Sequence, residues 1–242
     1  MSSTFEKIET PERMVSIANS GTGYAMAGES GNVYFLGLLG MYNQYQTLAE
    51  IAFPEPIKRV WATWYCVLAL GESNTLYGYG YRDTNMTLYS LTESELTEQP
   101  VVLFTNVRDV SPQLGHVFVV TLDGACFAWG HNCDGELGLG ERGRTPHPDP
   151  EISAVSDCYF VSEPMRVDFP EPIVKVQSGG SSGVALGESG QVYFWGRDSM
   201  NLHLEPGFTP ESVKDIPFEE RTGPDWTVYA PIPLGTSWHG ED

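Results

Sequence analysis

Three observations predict an all-β fold built from repeats. A 21-residue pattern occurs four times without a gap. Each occurrence bends on a residue pair suited to a tight hairpin. The composition, with 26 glycines and 17 prolines in 242 residues and 41% hydrophobic residues, fits a globular chain dense in turns.

The pattern is plainest from Val110 to Gly130, VSPQLGHVFVVTLDGACFAWG. An apolar run from Val117 to Val120 meets a turn at Asp123-Gly124, and a second run closes on Trp129-Gly130. The turn requires positive φ, which glycine adopts at no steric cost. Ile17–Gly37, Val60–Gly80 and Val176–Gly196 align with it. The eleventh position is Ala27, Leu70, Val120 and Leu186 in the four copies. The turn pairs are Ser30-Gly31, Ser73-Asn74, Asp123-Gly124 and Ser189-Gly190. Leu36, Tyr79, Trp129 and Trp195 precede the closing glycine, and Gly-Glu-Ser precedes or enters the turn in three copies.

A second recurrence lies upstream. Phe53-Pro-Glu-Pro-Ile57 leads into the second copy and Phe169-Pro-Glu-Pro-Ile173 into the fourth, while Phe104-Thr-Asn-Val107 holds that place before the third. Each unit is therefore a strand entered from a Phe-x-x-x-apolar start, followed by a hairpin. The copies start at 17, 60, 110 and 176, so the hairpin is fixed in length and the segment after it varies. Repeats that stack on one face and carry loops on another behave this way.

The third copy resembles the regulator of chromosome condensation repeat, one blade of a β-propeller. His116, Thr121, Asp123, Gly124, Trp129, Gly130, Asn132, Gly135, Leu137, Gly138 and Gly140 fall in the family's register, with Glu136 at its usual glutamine. The other copies match the hairpin but not the tail; Gly23, Cys66 and Ser182 replace the histidine. The resemblance implies a β-propeller of about four such blades, a partial or small ring. The organisation expected is an N-terminal arm (1–13), four blades (14–196) and a proline-rich, acidic and aromatic segment (197–242) that closes or caps them. The family's usual ring has seven blades, so three arrangements stay open: a small closed ring, an arc capped by the chain's own ends, or completion of a larger ring by a second copy or another chain. A monomeric ring or capped arc is placed slightly ahead.

Composition limits the function classes. Thirteen basic against 32 acidic residues give a net charge of −19. Binding to nucleic-acid phosphates needs a basic footprint, and anionic membranes attract basic segments, so neither is expected. The surplus serves solubility first and attraction to a basic protein second. The opening residues show no apolar signal-peptide core, and no run of 18 apolar residues exists. This points to the cytoplasm, the nucleus or a viral particle. Without a secretion signal, Cys66, Cys126, Cys133 and Cys158 are expected to be free thiols.

The connecting segments carry weaker signals. Thr92-Glu-Ser-Glu95 has capping-box form and predicts a helical turn at about 93–98. Asp149-Pro150 predicts a short helix to about Asp157, and Thr209-Pro-Glu-Ser another start. The long 141–168 insertion, with its Thr-Pro-His-Pro-Asp-Pro run, departs most from the repeat, and long loops in compact domains are often functional. Trp226–Trp238 is aromatic enough to pack on the first blade or on another chain.

No catalytic constellation emerges. His131, Cys133 and Asp134, with His116 and Cys126 nearby, lack the ligand-pair spacing of a zinc site. Cys133 has no motif of a cysteine nucleophile. Gly135–Gly140 lacks the Gly-Lys-Ser/Thr ending of a phosphate loop. The six tryptophans, Trp61, Trp64, Trp129, Trp195, Trp226 and Trp238, read as core packing. No catalytic residue, metal or cofactor is expected. The chain is read as a non-catalytic protein–protein interaction or scaffold subunit of a larger assembly, or a homo-oligomer. The candidate partner-binding residues are His131, Asn132, Asp134, Glu136, Arg142, Arg144, His147, Trp226 and Trp238. The resemblance implies guanine-nucleotide exchange on a small GTPase as the alternative; recognition or adhesion at a surface is a further one.

Overall fold

A computed structural model describes residues 7–20, 22–39, 43–63, 66–82, 95–96, 99–113, 115–143, 159–197 and 227–234. Every copy of the repeat is an antiparallel sheet in which successive strands are neighbours. The first is β1 (Met14–Asn19), β2 (Gly23–Gly28), β3 (Val33–Leu39) and β4 (Asn43–Ile51). The second is β5 (Ile57–Ala62), β6 (Cys66–Gly71) and β7 (Leu76–Arg82), with β8 (Glu95–Leu96) and β9 (Val101–Phe104) both paired to β7. The third is β10 (Val107–Pro112), β11 (His116–Thr121), β12 (Cys126–His131) and β13 (Phe160–Val167). The fourth is β14 (Ile173–Ser178), β15 (Ser182–Gly187), β16 (Val192–Arg197) and β17 (Thr227–Pro233). Among the described residues a single 3-10 turn, at Gly140–Gly143, interrupts the strands.

The 21-residue pattern spans the first three strands of each sheet, and the variable tail returns as the fourth. The turns have the geometry that the sequence requires: φ is +85° at Gly31, +63° at Asn74, +83° at Gly124 and +87° at Gly190. Asparagine is the side chain that best tolerates that region, which is why Ser73-Asn74 can replace a glycine pair.

The chain divides into two compact units, one holding the first two sheets and the other the third and fourth. In the first unit Ala25, Ala27 and Phe35 form a core with Val60, Val67 and Ala69. In the second, β14 packs on β10 and β11. A ladder of small polar groups crosses there: the Ser178 N–H donates to Ser111 Oγ at 2.8 Å, and the Ser178 hydroxyl to the Ser111 carbonyl at 3.1 Å. Both serines are buried, so each must find its partner inside the protein.

Two expectations are corrected. Glu95–Leu96 is a strand on Tyr81-Arg82, not a helical turn. The capping-box signal is local, and pairing with an existing sheet outweighs it. The last eight residues before Asp168 are the outer strand of the third sheet rather than a free insertion. Thr227–Pro233 pairs with β16 as the outer strand of the fourth sheet. The helices expected near 149–157 and 209 lie outside the described residues.

Candidate functional site

The recurring glutamate of the Pro-Glu segment holds the hairpin turn in the first, second and fourth copies. Glu55 accepts the Ser73 N–H at 2.8 Å, the Ser73 hydroxyl at 2.5 Å and the Tyr77 hydroxyl at 2.9 Å. Glu171 does the same with Ser189 (2.7 and 2.6 Å) and Tyr193 (2.8 Å). Glu12 does so with Ser30 (2.7 and 2.5 Å) and Tyr34 (3.1 Å). The carboxylate lies directly over Gly28, Gly71 and Gly187. A Cβ there would be 2.2–2.3 Å from the carboxyl carbon. This is the physical reason for the glycine of Gly-Glu-Ser. Hydrogen bonds from the serines hold the Glu12 and Glu171 carboxyls below the usual range. Partial burial pushes Glu55 up, but its bonds from Ser73 and Tyr77 outweigh this and leave it lowered. Burial and the facing carboxylate push Tyr193 up to about 12.

The third copy solves the same turn differently. Thr105 stands where the glutamate would be, Thr121 replaces the glycine, Asp123 the serine and Phe127 the tyrosine. The Thr121 hydroxyl bonds to Asp123 and lies 3.0 Å from the Ala125 carbonyl oxygen. The Thr121 bond, then the Ala125 backbone, lower the Asp123 pKa.

This copy also carries a built loop. The Asn132 amide donates to the Gly143 carbonyl at 2.9 Å, and its oxygen accepts the Leu137 N–H at 3.0 Å. A carboxylate oxygen of Glu136 accepts the Asp134 N–H at 2.7 Å. The Glu136 carbonyl accepts the indole N–H of Trp195, from the fourth copy, at 2.7 Å. Gly138, at φ +65°, leaves room for that indole, which would be 2.9 Å from a Cβ. Burial raises the Glu136 pKa. His116 is 2% exposed, its Nε2 has no hydrogen-bond partner among the described residues, and burial with the nearby His131 lowers its pKa to about 4.

The structure brings together only part of the sequence-derived set. Asn132 and Glu136 are buried, and the loop's own backbone takes their polar atoms. His131 and Asp134 are half-buried and Arg142 is exposed, bonding to Asp168 at 2.7 Å. Arg144, His147, Trp226 and Trp238 lie outside the described residues. Cys66 and Cys126 are buried thiols, but Cys133 is disulfide-bonded, against the free-thiol expectation. A disulfide depends on proximity in space, which sequence spacing does not reveal. Trp129 and Trp195 are buried as expected, while Trp61 is half-buried with the Arg59 guanidinium 4.7 Å from its ring centre. Among the described residues no group of three or more His, Cys, Asp or Glu could hold a metal ion, and no helix is long and apolar enough to cross a membrane.

The regulator of chromosome condensation (RCC1) repeat model matches residues 123–186. The mitochondrial RCC1 domain-containing protein RUG3 of Arabidopsis thaliana is 25% identical over 93% of this chain and 52% of its own length. The ultraviolet-B receptor UVR8 of the same plant is 24% identical over 59% of this chain and 30% of its own. Among solved structures, Prp20p of Saccharomyces cerevisiae superposes with a TM-score of 0.67 at 17% identity, covering 95% of this chain and 52% of that one. Prp20p was described together with its binding to Gsp1p and histones. The chain thus spans about half or less of these relatives. Residues 123–186 thus match one RCC1 repeat, and the four sheets share the fold of the RCC1-type β-propellers.

Proposed function

We propose that the chain is a non-catalytic scaffold that binds a basic protein partner. The observation that carries this reading is the division of its carboxylates. Glu12, Glu55 and Glu171 are engaged in holding the turns. Glu29, Glu72 and Glu188, the centres of the three Gly-Glu-Ser turns, are exposed at equivalent places, Glu29 paired with Arg13 at 2.5 Å and Glu188 3.9 Å from Arg108. A net charge of −19 adds to their attraction for a cation-rich surface. Protein binding by the RCC1-type neighbour Prp20p supports the reading. Asp134, His131 and Arg142, with Arg144, His147, Trp226 and Trp238, would supply further contacts. Titrating the full chain with core histones on a biosensor tests it. Binding should weaken steeply with salt. It should also fall several-fold in Glu29→Gln/Glu72→Gln/Glu188→Gln. No binding at low salt, or binding indifferent to the triple change, would refute the proposal.

Guanine-nucleotide exchange is the second reading, favoured by the fold likeness to Prp20p. Release of a fluorescent nucleotide from a small GTPase, with and without the chain, decides it.

A further inference from the structure

Within each unit, one copy covers the next in the same way. In the first unit Ala25 and Ala27 are fully buried in the core that Val60 and Val67 complete. Two hydrogen bonds fix the register: Val60 N–H to Ser16 Oγ at 3.1 Å and Ile57 N–H to the Gly31 carbonyl at 2.9 Å. Pro56 lies over the turn glycine, 2.4 Å from a Cβ placed there. The second unit repeats this. Phe118 and Val120 are fully buried on β11, which packs on β14, where Val176 is 1% exposed. Val176 N–H bonds to Asp109 Oδ2 at 3.2 Å, Ile173 N–H to the Gly124 carbonyl at 2.9 Å, and Pro172 covers Gly124 at 2.4 Å. The earlier copy supplies a sheet face and a turn; the later copy supplies its first strand.

Both halves of this contact also occur uncovered. In the first copy Ile17, the counterpart of Val60 and Val176, is 76% exposed. Val15 beside it is 52% exposed and Tyr24, the counterpart of Val67, 49%. In the fourth copy Val184 and Leu186, the counterparts of Ala25 and Ala27 and of Phe118 and Val120, are each 38% exposed. The turn of that copy is open too: a Cβ on Gly190 would meet nothing within 4 Å.

We propose that these two faces form a head-to-tail docking surface, and that the occupant of each is the opposite face of a second copy of this chain. Val184 and Leu186 of one protomer seat on Ile17 and Tyr24 of its partner. The Met14 N–H, counterpart of Ile57 and Ile173, bonds to the Gly190 carbonyl. Gln177 and Asn19, both exposed, take the places at which Ser111 and Ser178 bond within the chain. Lys175 replaces Ser16 and Asp109 and offers no acceptor, so the contact rests on the apolar face and the turn. Such a heterologous contact closes as a dimer when both ends meet and otherwise propagates. The proposal rests on sheet faces and the Gly190 turn, and does not require the partner reading above.

Sedimentation of the full chain over a range of concentrations tests it, using wild type, Ile17→Asp, Leu186→Asp and an equimolar mixture of the two variants. Val15→Asp stands in if Ile17→Asp proves insoluble, and circular dichroism checks the fold. Wild type should self-associate, and each variant should weaken that at least tenfold. The mixture should regain association, because one variant keeps the Leu186 face and the other the Ile17 face. A wild type that stays monomeric, association that either variant leaves intact, or a mixture that stays monomeric overturns the proposal.

Discussion

The third copy and the other three build one hairpin with two different polar arrangements. In the first, second and fourth copies a glutamate 18 residues upstream reaches back over a glycine to bind a serine and a tyrosine. In the third the turn holds itself, through Thr121 and Asp123, and the polar investment moves to the loop after β12. The four substitutions are physically linked. Without the glutamate the glycine can carry a side chain, the serine loses its acceptor, and a tyrosine hydroxyl would have no carboxylate to meet. The backbone shape of the turn is thus the constant, and its chemical support is interchangeable. What distinguishes the third copy is its dependence on Trp195 and the buried His116.

The largest effect should come from removing the third copy's anchor. Trp195 is fully buried, packs near Phe118 and Phe169, and bonds to the Glu136 carbonyl. Trp195→Ala should cost about 3–5 kcal/mol of unfolding free energy in denaturant titration. An effect confined to a few tenths would show that the loop does not depend on that indole.

Acid should separate the copies next. His116 titrates near 4 when folded against an ordinary value of 6.5. A lowered base binds its proton more readily in the unfolded chain, so its contribution is complete above 6.5 and is lost as pH falls towards 4. The shift corresponds to about 3 kcal/mol. His116→Ser, which installs the fourth copy's residue, should flatten the stability profile in that window. The clamp glutamates behave differently: their lowered pKa values keep the contribution intact above the ordinary carboxylate range and lose it only below. Unfolding midpoints of both proteins between pH 7 and 4 would expose an unchanged slope if this is wrong.

A third test exchanges one arrangement for the other. Gly71→Ala pushes a methyl into the Glu55 carboxyl and should cost about 1–3 kcal/mol, as other overpacking changes do. Glu55→Ala in the same chain removes the obstacle. The double variant should therefore be more stable than the sum of the single losses predicts, by about 0.5–1 kcal/mol, since the carboxylate is largely solvated. Strict additivity in a double-mutant cycle would separate the glycine from the clamp.

Legibility in the sequence followed the range of the interaction. The hairpins were readable because turn chemistry is local and the spacing is rigid. The closing tryptophans read correctly as core. The glutamate clamp is half legible: Phe-Pro-Glu-Pro-Ile occurs twice, but Pro11-Glu12 breaks the pattern because Arg13 stands where Pro56 and Pro172 do. The signal that would have found all three is a glutamate followed at 18 residues by serine and at 22 by tyrosine, with glycine two before the serine. Asn132 and Glu136 looked like surface residues of a polar loop. Asn132 is held by Leu137 and Gly143 of its own loop, and the Glu136 carbonyl meets Trp195, about 60 residues away; no local rule contains that last contact. The strand at Glu95–Leu96 shows the same limit, since a neighbouring sheet overrode a good capping signal.

The smallest test isolates one hydroxyl. Tyr77 is 7% exposed and its only role in the clamp is the 2.9 Å bond to Glu55. Tyr77→Phe leaves the ring and its edge contact with Phe53 in place and should cost about 0.5–1 kcal/mol, the net worth of one hydrogen bond that water can partly replace. The mirror change, Phe127→Tyr, gives the third copy a hydroxyl at a position where Thr105 has replaced the glutamate. It should gain nothing. If the two changes shift the unfolding midpoint equally, the ring position matters for packing alone and the carboxylate contributes nothing through it. If only Tyr77→Phe is destabilising, the tyrosine and the glutamate act as one device, present or absent together, and the third copy is the case in which both have gone.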